Sequence, residues 1–231
     1  MQPTTDNTTP HKAAEYDQNI FKTIPYYELF YTETIDLVRS LKNAPQYWLD
    51  TGCGTGNLIA RAVAMFPNTH FLLADPSTEM LAQARQRLHA SGVQNVTFYA
   101  PAASQQLSAV LDHTPEVITA IQCHHYLNAD GRRQSTLECY HLLAQDGVYV
   151  TFENIQPDTD FGVDVALNRW MHYQRAQGRS EHVVQEHRQR YNHNYFPITV
   201  AQHLELLKTT GFKIAELLWY SQMQAGFYAI K

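Results

Sequence analysis

The residues whose types and spacing can do chemistry cluster in the first third of this 231-residue chain. Asp50 closes the apolar run Tyr47-Trp48-Leu49, and Gly52, Gly54 and Gly56 then alternate with Thr51, Cys53 and Thr55 up to Asn57. Glycine suits such a turn because positive φ costs it little and because no Cβ keeps a ligand off the backbone. Leu58, Ile59, Ala62, Val63 and Phe66 recur at helical spacing, so the loop empties into a helix N-terminus. Phe71-Leu72-Leu73-Ala74 is a second apolar run that ends in an acid, Asp75. A carboxylate at the tip of the second strand is where an α/β nucleotide site grips ribose hydroxyls. The pattern is a cofactor-binding turn, but neither the dinucleotide fingerprint nor a P-loop. Asn57 stands where the third glycine of G-x-G-x-x-G belongs, and no lysine follows.

Three more stretches accompany the loop: Pro76-Ser77-Thr78-Glu79-Met80-Leu81 after Asp75, Ile121-Gln122-Cys123-His124-His125-Tyr126-Leu127, and Leu142-Leu143-Ala144-Gln145-Asp146-Gly147-Val148. With the D-x-G-x-G-x-G run they resemble the class I S-adenosylmethionine-dependent methyltransferases. They match that family's acid-x-Ser-x-x-Met-Leu stretch, the segment after its fourth strand and its turn from helix into fifth strand. The resemblance implies S-adenosyl-L-methionine as cofactor, held by Tyr27, Asp50, Gly52, Cys53, Gly54, Asp75, Pro76, Met80, Ala102, Ala103 and Gln122, with Met80 packing on adenine. The family's usual acid after the third strand is replaced within Ala100-Pro101-Ala102-Ala103. Adenine is then left to the backbone there, or to Ser104 or Gln105.

A methyl on a sulfonium is already activated, so such a protein mainly aligns a nucleophile behind the carbon and excludes water. A general base is needed only if the acceptor starts protonated. His124 and His125 are the candidates, the alternative being that they pack beside the sheet edge.

A looser likeness covers nearly the whole chain. Ile24-Pro25-Tyr26-Tyr27, Arg175-Ala176-Gln177-Gly178-Arg179-Ser180, Arg188, and the ending from Gly211-Phe212 to Ala229-Ile230-Lys231 resemble the layout of carboxy-S-adenosylmethionine synthases, which share the methyltransferase fold. That likeness implies Arg188 as the holder of an extra carboxylate, with Tyr26 and Tyr195 as further substrate contacts. Gly54-Thr55-Gly56, however, is the ordinary methyltransferase form of the loop. The expected function is methyl transfer to an unidentified small molecule. The alternatives are a synthase-like enzyme that remodels the donor itself, and a binding module that keeps the nucleotide site without turnover.

The elements that must position these residues alternate regularly. Strands are expected over 46–50, 69–74, 95–100, 116–121 and 147–154, with helices over 56–66, 77–90 and 131–144 between them. Such alternation means right-handed βαβ units and a parallel sheet. Pro25 splits an N-terminal helical pattern in two. A Trp-, Tyr-, His- and Arg-rich stretch with two helices follows the fifth strand, and a helix over 199–209 leads through Gly211 into two closing strands. The expected fold is α/β: a Rossmann-like, seven-stranded, mostly parallel sheet with helices on both faces and the last strand antiparallel. Residues 1–12 read as a disordered tail. Residues 13–231 read as one domain, with N-terminal helices over 13–44 and an inserted lid over 155–197.

Composition sets the outer bounds. A hydrophobic fraction of 44% and a charged fraction of 17% are those of a globular protein. No apolar run approaches the roughly 20 residues of a membrane span, and the polar N-terminus is no signal peptide, so the cytoplasm is expected. The 3 cysteines are widely spaced without C-x-x-C, which argues against a disulfide framework and a thiolate zinc site. His182, His187 and His193 have no usual ligand spacing, so no metal is expected. A net charge of −5 does not suit a nucleic-acid binder. The expected partner is a small-molecule substrate, with a homodimer left open.

Overall fold

The computed structural model describes residues 9–231. Seven strands form one sheet: β1 Tyr47–Thr51, β2 His70–Ala74, β3 Val96–Phe98, β4 Val117–Ile121, β5 Val148–Asn154, β6 Ile214–Ser221 and β7 Gln224–Ile230. Their order is β3-β2-β1-β4-β5-β7-β6, and β7 runs antiparallel to both of its neighbours while the other pairings are parallel. This is the expected seven-stranded fold, with the strand order reversing between β1 and β4.

The helices are α1 Tyr16–Thr23, α2 Tyr27–Ser40, α3 Asn57–Ala62, α4 Thr78–Ala90, α5 Ala129–Leu142, α6 Asp160–Ala176, α7 Glu181–Gln189 and α8 Val200–Thr210. The apolar runs of the central strands serve both faces of the sheet, as strands covered on both sides must. Trp48, Phe71, Val117 and Phe152 pack with Phe30 of α2, Ile59 of α3 and Leu88 of α4. Leu49, Leu72, Ile118 and Tyr149 pack on the other side with Cys139 of α5 and Leu207 of α8. Side-chain caps fix several starts. Ser77 accepts from Met80 N at 3.1 Å, and Thr199 and Gln202 form a reciprocal capping box. Asn128 caps α5, so that helix runs from Ala129 to Leu142 rather than over 131–144. The helix expected over 56–66 ends at Ala62, and tighter turns carry the chain to Phe66.

The stretch expected as an insertion holds α6, which packs on α1, and α7, which packs on α6. Trp170 Nε1 donates to Thr23 O at 2.6 Å, and Tyr173 Oη donates to Phe21 O at 2.5 Å. Within residues 9–12, expected as part of a disordered tail, His11 is packed instead. His11 is buried, its Nε2 lies 3.0 Å from Thr23 Oγ1, and its ring stands edge-on to His187. The aromatic ring and two nearby partners give the segment enough contact to offset its loss of chain entropy. The rest of that expected tail, 1–8, lies outside the described residues. Among the described residues, no helix is long and apolar enough to cross a membrane.

One packing prediction follows from the sheet. Gly226 on β7 faces Phe152 of β5, and a Cβ built there would overlap the phenyl ring. Gly226→Ala is therefore expected to destabilise the fold by about 1–3 kcal/mol. In a chain of this size that lowers the thermal midpoint by about 2–4 °C per kcal/mol. An unchanged midpoint in a calorimetric scan would contradict this packing.

Candidate functional site

The carboxyl ends of β1, β2 and β4 open onto a cleft at the switch in strand order, where α/β sheets bind ligands. Gly52, Gly54, Asp75, Pro76, Met80, Ala103, Gln122 and His124 line it, with Tyr16, Ser104, Gln105 and Tyr126, and its volume is about 770 Å³ counted to the open mouth.

The glycines are there for different reasons. A Cβ on Gly52 would come within 2.6 Å of Cys123 Cβ, so this glycine lets β1 and β4 approach. A Cβ on Gly54 would meet nothing within 4 Å, because its backbone faces the open cleft with φ +54°. Asp75 ties the loop to the tip of β2: Gly54 N donates to its Oδ2 at 2.9 Å, and Ser77 N donates to its Oδ1 at 2.8 Å. Ionised carboxylates accept about four hydrogen bonds, so such tethering is compatible with further donors. Ala102 lies behind Ala103, outside the cleft lining, with its N–H bonded to Asp75 O. Gln122, at φ +56°, ends β4 sharply, and its buried Oε1 has no hydrogen-bond partner among the described residues. Gly54's open face and the orphaned Gln122 oxygen suit a ligand bearing hydrogen-bond donors.

A smaller recess continues under the loop, lined by Asp50, Cys53, Tyr27, Tyr16 and Tyr31. The Tyr16 and Tyr27 hydroxyls are 3.1 Å apart. Burial pushes all three phenols well above their ordinary range, so they stay neutral. Asp50 accepts from Thr119 Oγ1 at 2.6 Å. Burial pushes its carboxyl up to about 7; the Thr119 bond opposes the shift and the Asp75 charge adds to it. α1 is latched to the loop from outside. Asp17 accepts from Thr55 Oγ1 at 2.7 Å and Asn57 Nδ2 at 2.6 Å, and pairs with Arg87.

The two histidines part company. His124 reaches the cleft, but Ser104 Oγ lies 3.0 Å from its Nε2 and Tyr149 Oη 3.2 Å from its Nδ1. Burial lowers its pKa to about 4. His124 is thus a neutral link in a chain from Thr51 through Ser104 to Tyr149. His125 lies behind the cleft, with Nδ1 2.6 Å from Glu153 Oε2 and Nε2 buried without a partner. Glu153 is fully buried; burial alone would raise its pKa, and the His125 hydrogen bond and charge outweigh that and hold it ionised.

Two expected substrate contacts fall elsewhere. Tyr26 is 55% exposed and packs on Trp219: the left-handed residue before α2 turns it outward while Tyr27 turns in. Arg188 is exposed and lines none of the cavities. Val184 and His187 take the inward positions of α7, and Arg190, just past the helix, reaches the interior wall. That wall belongs to a second cavity lined by His11, Ile20, Thr23, Ile24, Trp170, His187 and Tyr195, which shares Thr9 and Tyr126 with the donor-side cleft. Of the three spaced histidines, His182 is exposed beside Glu186 while His187 is buried against Trp170.

Sequence reading missed Tyr16, Tyr31, Trp170, His187 and Arg190. Tyr31 was accessible, because it stands one helical turn after Tyr27 on the same face of α2. The others depend on chain reversals that no local spacing reveals.

A methyltransferase-domain family model matches residues 49–149. Among curated proteins, a carboxy-S-adenosyl-L-methionine synthase of Nautilia profundicola is 22% identical over 223 residues, covering 95% of this chain and 92% of that protein. A malonyl-acyl-carrier-protein O-methyltransferase of Bacillus cytotoxicus is 32% identical over 146 residues, 62% of this chain and 47% of that protein. Among solved structures, an O-methyltransferase family protein of Burkholderia thailandensis aligns with a TM-score of 0.63 at 14% identity, covering 89% of this chain. This chain spans only 58% of that protein's length. The plantazolicin methyltransferase BamL aligns with a TM-score of 0.65 at 13% identity, covering 95% of this chain and 88% of BamL. Loop, strand order and relatives agree: residues 49–149 match a methyltransferase domain, and the chain has the Rossmann-like fold of S-adenosylmethionine-dependent methyltransferases.

Proposed function

We propose that the protein transfers a methyl group from S-adenosyl-L-methionine to a small molecule, with the donor lying across the ends of β1, β2 and β4. The observation that carries this reading is the pairing of Gly54's open backbone face with Asp75 at the neighbouring strand tip. Asp75 serves the ribose hydroxyls, and Met80 packs on the adenine beside Ala103 and Gln105. Asp50 and the Tyr16, Tyr27 and Tyr31 recess receive the methionine end. The donor, when bound, supplies an electrophilic methyl carbon. The protein's part is to fix that carbon's direction and keep water from it. His124 positions Ser104 and Tyr149 and removes no proton, since both of its nitrogens are engaged.

A second reading is favoured by the relatives of near-equal length: the ligand is a carboxylated donor, as the name of the Nautilia protein implies for that protein. Mass spectrometry of the nucleoside that copurifies with the protein separates the two. The ordinary donor or its demethylated product supports the first reading, and the carboxylated form overturns it. Arginine substitutions provide an independent check. Arg188→Ala is expected to leave the affinities for both donors within about twofold. Arg190→Ala should weaken only a carboxylated donor, by about tenfold or more, because the bidentate guanidinium contact to its carboxylate is lost. Calorimetric titration with each donor reads the difference, and equal losses for both would exclude a carboxylate contact at Arg190.

A further inference from the structure

The second cavity lies against the donor cleft, and its hydrogen-bond accounting defines what can enter it. Thr23 has one hydroxyl proton, which goes to Asn19 O at 3.0 Å. Its oxygen accepts from Arg179 Nη2 at 2.8 Å, so the His11 Nε2 contact at 3.0 Å is also a donation to that oxygen. His11 Nδ1 is therefore a bare acceptor. His187 Nδ1 lies 2.5 Å from Gln174 Oε1, which can only accept, so His187 Nε2 is likewise an acceptor. Among the described residues, no hydrogen bond engages either atom. Burial, reinforced by the nearby Arg179 and Arg190 charges, lowers His11 to about 3 and His187 to about 4, so both imidazoles remain acceptors across neutral pH. Ile20, Ile24, Trp170 and Tyr195 give the cavity broad apolar walls, and Asn154 and Arg190 add polar groups at its margin.

We propose that this cavity is the methyl-acceptor site and that it takes a flat, apolar small molecule with a neutral hydrogen-bond donor, a phenolic hydroxyl or aromatic amine, read by His11 and His187. The inference rests on the methyltransferase reading and deepens it by naming the acceptor class. Thr9 and Tyr126 line both spaces, so a molecule seated here adjoins the donor cleft. An aromatic amine can donate to both lone pairs and a phenol to one of them, whereas a methyl ether or a carboxylate brings them no hydrogen.

The test uses three naphthalenes of matched shape, 2-naphthol, 2-methoxynaphthalene and 2-naphthoate, titrated calorimetrically into the protein loaded with S-adenosylhomocysteine. Naphthol is expected to bind at least tenfold more tightly than either other probe. In His11→Phe and His187→Phe, which keep a flat ring without the lone pair, that preference is expected to fall below about threefold. S-adenosylhomocysteine affinity should stay within about twofold of wild type in both variants. Equal binding of naphthol and its methyl ether, or no naphthol binding, overturns the acceptor class whatever the variants do. Tightest binding of naphthoate overturns it in favour of an anion read by Arg190. A preference that survives in both folded variants overturns the assignment to the two imidazoles. Wild-type protein that fails to bind S-adenosylhomocysteine overturns the donor site itself, and this inference with it.

Discussion

Gly54→Val is expected to weaken S-adenosylhomocysteine binding by about a hundredfold while the protein stays folded. The space beyond the Gly54 Cα is open, so the isopropyl group enters the cleft rather than the core. The cost to the fold is the left-handed backbone at φ +54°, about 1–3 kcal/mol for a side chain that disfavours that region. The cost to binding is larger, because the ligand loses its approach to the loop backbone. A drop of about a hundredfold corresponds to about 2.7 kcal/mol. Gly54→Ala is the graded control, with the same Cβ direction and less bulk. Calorimetry on protein of native circular dichroism decides it, and near-normal affinity in the valine variant would place the donor elsewhere. Asp75→Ala belongs to the same test. Hydrogen bonds to a charged acceptor are worth about 1.5–3 kcal/mol each, so the substitution should weaken binding at least tenfold. Because Gly54 N and Ser77 N also bond to Asp75, part of that loss is loosening of the loop.

Asp50→Asn is expected to make the ligand-free protein more stable at pH 8 and to weaken donor binding. The native carboxyl, raised to about 7 by burial, keeps its proton between about pH 4 and pH 7 while the unfolded chain has already lost it. Its stabilising contribution is therefore full below about pH 4 and is lost as pH rises to about 7. A shift of about three units is worth up to about 4 kcal/mol. Asparagine keeps an oxygen for the Thr119 hydroxyl and cannot ionise, so it removes the loss. Thermal scans should show the variant several degrees above wild type at pH 8, with the gap closing toward pH 4. Titrations should show the reverse for function. Wild-type affinity for the cationic donor rises as Asp50 ionises near pH 7, and the variant lacks that rise. Parallel stability curves for the two proteins from pH 4 to pH 8 would remove Asp50 from this role.

Asp50, the glycine loop and Asp75 were legible in the sequence because one β-α-β unit carries them, and local spacing alone sets their geometry at two adjacent strand tips. The strand alternation likewise specified the sheet, since continuous apolar runs of strand length have to be covered on both faces. Ala102 and Ala103 were both expected at the site and only Ala103 lines the cleft, because the sequence does not show which of two consecutive alanines faces outward after a short third strand. Tyr26, expected to touch substrate, is turned outward by its own left-handed backbone after Pro25, while Tyr27 faces the recess beside Asp50. Arg188 was chosen by likeness along the chain, whereas the phase of α7, set by Val184 and His187 packing inward, left it in solvent. The second cavity is wholly tertiary. Its walls come from the strap at Pro10 and His11, from α1, α6 and α7, and from Tyr195, segments far apart in sequence that only packing against one another brings to the same space.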